Sequence, residues 1–216
     1  MADEPVRNND ATEIANAAVI AITGVIAAIG SYQGSLWEGE QATAYSRSNS
    51  LRTESSRAAD HADTLKAAEV AIFSAWLDAR VTGDSRLADF YAQRFPPDLQ
   101  HAFQDWIRQE PLKNPAAPLT PFQTPDYRPA GPALAAELDR RAAEVFEEGQ
   151  RANHVSDSFA QGGTILSLSL FFAGIAQVFR KRWVRVTLLF MAILACALGA
   201  VRVFTLPMIS ILSQGG

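Results

Sequence analysis

Metal chemistry is the first possibility the residues raise, because Asp60-His61-Ala62-Asp63 resembles a ligand cluster and two more histidines follow, His101 and His154. On a helix, ligands share a face only three or four positions apart, and His61 has Arg57 and Leu65 at those positions. In an antiparallel helical pair entering and leaving one membrane face, His61 and His154 stand roughly 27 Å apart at 1.5 Å per residue. The reading is a solvated face and no metal. Nucleophilic catalysis lacks its parts: there is no Gly-x-Ser-x-Gly, and Cys196, the one cysteine, lies inside an apolar run where it reads as a small buried residue. Gly162-Gly163 has neither the lysine nor the strand of a phosphate loop. Glu144, Glu147 and Glu148 with Arg140, Arg141 and Arg151 are spaced for ion pairs along a helix. The chain is expected to be no enzyme and to hold no cofactor.

Composition excludes further classes. Acids outnumber bases 23 to 19, whereas a nucleic-acid binder needs a cationic surplus facing phosphate. A single cysteine permits no intramolecular disulfide, so any exported part is held by packing alone.

The elements that must position these residues are governed by three apolar stretches. A bilayer core of ~30 Å needs ~20 helical residues. Residues 14–36 read as transmembrane helix 1, 159–179 as helix 2 and 186–206 as helix 3. Between the last two lies the turn 180–185, with Arg180, Lys181, Arg182 and Arg185 and no acid. Short cytoplasmic loops collect Lys and Arg, so this turn is placed inside the cell. Residues 1–13 are then a short cytoplasmic tail, 37–158 lie outside, and 207–216 form an extracytoplasmic tail, in a bacterial inner membrane. Ala28-Ile29-Gly30 looks like a signal cleavage site, but Asp3, Glu4, Asp10 and Glu13 outnumber Arg7 before it, so an uncleaved anchor is expected. Trp183 suits the inner interface, and Tyr32 and Trp37 the outer one. Membrane lipid is the first expected partner.

Within the spans, small residues mark where helices approach closely: Gly30 and Gly34, Gly174, and Gly199. Packing among the chain's own helices and self-association between chains both use such spacing. Arg202 is the one charge well inside an apolar run, and an intramembrane charge is a functional candidate. At its depth it can snorkel to headgroups or reach Glu38 or Glu40.

The excursion reads as a helical stalk with a small helical tip, making the whole an all-α membrane protein. Ala44, Leu51, Ala58, Leu65, Ile72 and Ala79 recur every seven residues, with Ser48, Ser55, Ala62 and Trp76 on the intervening seam position and Glu69 a misfit there. The returning stripe is Leu138, Ala142, Val145, Gly149, Ala152, Ser156 and Phe159. If Trp37 and Phe159–Gln161 lie level, facing residue numbers sum to about 198. Helix-like stretches at 85–95 and 97–110 supply aromatics to cover Ile72, Phe73, Trp76 and Leu77. Seven prolines between Pro111 and Pro132 exclude helix interior and central strand, and predict an extended strap over the tip. The aromatics read first as a core. Trp76, Phe103, Trp106, Pro118 and Pro121 are also the candidate partner surface.

With these residues stated, the chain resembles a group of uncharacterised three-span bacterial membrane proteins. The likeness rests on Ser31-Tyr32-Gln33-Gly34, Trp37-Glu38-Gly39-Glu40-Gln41-Ala42, Leu51-Arg52-Thr53-Glu54, Asp89-Phe90-Tyr91, Arg94-Phe95 and Pro111-Leu112-Lys113-Asn114-Pro115. It implies a bacterial membrane location and carries no activity. The expected role is a non-enzymatic structural or interaction protein whose tip binds an envelope protein or another copy. The alternatives are a channel or transport subunit, with Asn16, Thr23, Ser167, Ser169 and Gln177 along a path, or an envelope ligand sensor.

Overall fold

The computed structural model describes residues 6–210, with side chains from residue 11 onward. It is all-helical among those residues. Helix α1 spans Val6–Thr82, α2 Ser85–Ala92, α3 Pro97–Arg108, α4 Ala130–Val178 and α5 Arg182–Phe204, with a short 3₁₀ turn at Pro121–Gln123. No helix boundary falls at residues 36–37 or 158–159, where the sequence divides span from excursion. Parts of α1, α4 and α5 are long and apolar enough to cross a membrane, and only 22, 33 and 17% of their apolar windows are buried within the chain. Apolar surface left uncovered on that scale suggests a membrane protein. The chain separates into two compact units, Met1–Arg47 with Val145–Gly216, and Ser48–Glu144.

The first unit inverts the soluble pattern. Many of its large side chains face outward, among them Ile22, Val25, Phe171, Phe190, Leu198 and Val201, while Ile26, Phe159, Leu166 and Val203 form a buried cluster between the helices. Beside that cluster, several small and polar residues face inward, Asn16, Thr23, Ser169 and Ala192 among them, where a hydroxyl or amide finds its partner inside the bundle. The Ser169 hydroxyl donates to the Ala192 carbonyl at 2.8 Å, which leaves Thr23 as donor to Ser169 at 3.2 Å. One line of hydrogen bonds thus ties α1, α4 and α5, and both hydroxyl residues are fully buried.

Glycines set how closely these helices approach. A β-carbon at Gly199 would come within 2.7 Å of the Leu166 side chain, and one at Gly162 within 2.9 Å of Val203. Gly30 faces Val203 at 3.2 Å, while Gly34 leaves ordinary contact distance, 3.4 Å, to Phe159. Gly174 is exposed and has nothing within 4 Å, so it makes no close approach to another helix of this chain. At the far end of α5 the chain turns back onto α1. The Gln33 amide donates to the Ile209 carbonyl at 3.1 Å and accepts from its N–H at 2.8 Å, and the Trp37 indole donates to Pro207 at 3.0 Å. The expected tail 207–216 is therefore anchored over its first residues; 211–216 lie outside the described residues.

In the second unit the α1–α4 register differs from expectation. Ser48 donates to the Ala142 carbonyl and Ser55 to that of Ala135, both at 2.8 Å. A sum of about 198 would instead set Ser48 near position 150, two turns away. Serine hydroxyls and the absence of a side chain at Gly131, where a β-carbon would meet that of Ala62 at 2.5 Å, favour the observed pairing. The line Ser48, Ser55, Ala62, Glu69, Trp76 is the more buried one, with Ser55 and Ala62 half-buried, and Leu65, placed on a seam by heptad spacing, is exposed. Glu69 is no misfit, since the Tyr127 hydroxyl donates to it at 2.6 Å.

Phe73, Trp76, Ala79, Ala88, Phe95, Leu99 and Trp106 form one buried cluster, with Phe103 and Phe122 against it. Most of its ring pairs are edge-to-face, Trp76 on Phe103 at 4.7 Å for one, the arrangement the ring quadrupoles favour. Gly83, at φ +84°, makes the sharp turn from α1 into α2, and Asp84 caps α2 by accepting from the Leu87 N–H at 3.0 Å.

Candidate functional site

Each segment proposed as a partner surface has a definite place. Trp76 and Trp106 are 4% and 2% exposed, and Pro121 is among the most deeply buried residues. The Trp106 indole donates to the Pro118 carbonyl at 2.7 Å, fastening the proline strap to α3. Four of the five residues are thus spent on internal packing or bonding, and Phe103 packs on the same cluster. Burial of an aromatic ring is worth more than its exposure, so the tip consumes its own anchors. Leu112 and Leu119 of the strap are exposed instead, as are Leu87 and Phe90, one turn apart on α2.

Arg202 bonds to neither Glu38 nor Glu40. It is exposed, and its guanidinium reaches Ser158 and Gln161 of α4, both at 3.4 Å. Ser167 bonds back to Gly163 of its own helix and faces outward. Among the described residues no group of His, Cys, Asp or Glu could hold a metal ion.

A different cluster is brought together at the end of the bundle where α1 and α5 begin and α4 finishes. Arg180, Lys181 and Arg182 of the basic turn are exposed there, but Arg185 is turned inward, with 19% of its side chain accessible. It lines a crevice of about 360 Å³ with Thr12, Glu13, Asn16, Ala176, Gln177 and Leu189. Among the described residues its counter-charge is Glu13, at 3.8 Å, within ion-pair range but beyond hydrogen-bond reach.

Two buried polar atoms of the residues lining this crevice have no hydrogen-bond partner among the described residues: Arg185 Nε and Asn16 Oδ1. Asn16 is 5% exposed, and its Nδ2 is fixed by donation to the Ala173 carbonyl at 3.0 Å, which commits Oδ1 to the other side of the amide. One orphan is a cationic donor and the other a neutral acceptor. Such groups are costly to leave unmet, and a native structure retains them where something else supplies the partner. Sequence reading assigned Arg185 to topology, Glu13 to an acidic tail and Asn16 and Gln177 to a path. Only Arg185 falling one turn after the exposed trio hinted that it stood apart. No family profile, curated protein or solved structure matches the chain.

Proposed function

We propose that this is a non-enzymatic integral protein of a bacterial inner membrane, whose residues 37–158 form an extracytoplasmic stalk and tip that binds another copy or an envelope protein. The observation that carries this reading is the strap. Its prolines and the Trp106 bond hold it on the aromatic cluster while Leu119, 81% exposed, points to solvent. A rigid segment presenting apolar side chains binds with little ordering cost. The orientation rests on Arg180, Lys181 and Arg182, exposed between α4 and α5. Channel function has weaker support, because Thr23 and Ser169 spend their hydroxyls on each other and on Ala192.

A photo-cross-linking residue at Leu119 in intact cells tests the binding role. Adducts are expected there and not at the exposed, charged Arg140 of α4. A strict monomer in mild detergent with no Leu119 adduct would remove the proposal. The orientation has its own check: Leu119→Cys should react with an impermeant thiol reagent in whole cells.

A further inference from the structure

We infer that the crevice between Glu13, Asn16 and Arg185 binds a phosphate joined through a short linker to a primary ammonium, the chemistry of an ethanolamine phospholipid headgroup. The inference goes beyond the proposed partner-binding role and rests only on the three apolar helices lying in a membrane.

The two orphan atoms define the ligand from opposite sides. Arg185 Nε needs an acceptor, and a guanidinium at the bundle end is suited to phosphate oxygens. Asn16 Oδ1 needs an N–H or O–H donor. Glu13, 68% accessible and within ion-pair but not hydrogen-bond distance of Arg185, adds negative charge on that rim. A bare anion satisfies only the arginine, and would lie beside the Glu13 carboxylate. A ligand carrying an anion and a hydrogen-bonding cation a few bonds apart satisfies both. A choline headgroup has the same charges but no N–H for Asn16.

Size and depth agree. One water occupies about 30 Å³, so a crevice of about 360 Å³ is built for more than a bridging solvent molecule. Its volume lies in the range of ligand pockets. Glu13 and Arg185 stand near the starts of two apolar segments and Gln177 near the end of the third, which is headgroup depth. Val178 and Val186, both exposed, offer apolar flank for acyl chains beside it.

The test is lipid retention by the purified full chain, measured by native mass spectrometry after delipidation and re-addition of phosphatidylethanolamine, phosphatidylglycerol or phosphatidylcholine of matched chains. Phosphatidylethanolamine should be held about tenfold more tightly than either of the others, the order of a charge-assisted hydrogen bond. Arg185→Lys keeps the charge that orients the turn but removes Nε, and Glu13→Gln removes the rim carboxylate. Each should erase most of that preference with helicity unchanged by circular dichroism. An arm with free phosphoethanolamine identifies the source: competition at concentrations equal to the lipid's assigns the site to the soluble molecule, and none assigns it to the bilayer. Equal retention of all three lipids by the wild type, or a preference untouched in both variants, would mean that solvent meets the two orphan atoms, and would overturn the assignment.

Discussion

At the scale of single residues, two positions carry testable weight. Tyr127 donates to Glu69, which is 8% exposed, and burial first, then the neighbouring carboxylate, raises the phenol well above its ordinary value near 10. The neutral phenol is the form the fold holds. Its contribution is complete below the unfolded value and is lost as pH rises through the raised folded one. Tyr127→Phe leaves a buried carboxylate short of its donor and is expected to cost about 1–3 kcal/mol in chemical denaturation. The second position is Gly199. Alanine there must displace Leu166, whose side-chain and backbone atoms both crowd the site, for an expected loss of about 1–3 kcal/mol. Gly174→Ala, with open space around it, should unfold no earlier than the wild type in the same chemical denaturation.

At the scale of elements, the charged face of α4 behaves as a cluster. Hydrogen bonds from Arg140 and then Arg141 hold the Glu137 carboxyl at about 2, below its ordinary 4.5. Its stabilising effect is therefore present above pH 4.5 and fades as pH falls toward 2. Helix content followed by circular dichroism between those values should fall less steeply in Glu137→Gln. The face is exposed, so added salt is expected to shrink the difference. The element boundaries were largely legible: the 85–95 and 97–110 stretches became α2 and α3 with shorter ends, and Pro132 lies in the first turn of α4 as proline prefers. The register was not. Heptad spacing put both rows of α1 on one seam and, with the membrane ends set level, gave a register sum of about 198 that the structure does not keep. Ser48, Ser55 and Glu69 decided it by finding partners.

For the whole molecule, three long apolar segments and a cationic turn can be read straight from the chain, because desolvating a peptide backbone in lipid admits few alternatives to a helix. That reading needs no contacts. Which residues meet across the bundle depends on rotation and register, and these are set by local fits such as Gly199 against Leu166 or the Ser169 hydroxyl under Ala192. Sequence by itself therefore determined the all-helical class, three segments long and apolar enough to cross a membrane, and the exclusion of familiar catalytic motifs. The aromatic core of the tip was also legible, whereas only the tertiary structure fixed the α1–α4 register and moved Arg202 to Ser158 and Gln161. It also separated Arg185 from its three basic neighbours and set it beside Asn16. The reason is physical: hydrophobicity and charge act residue by residue and survive in a linear reading, whereas an unmet donor or acceptor exists only once every neighbour has been placed.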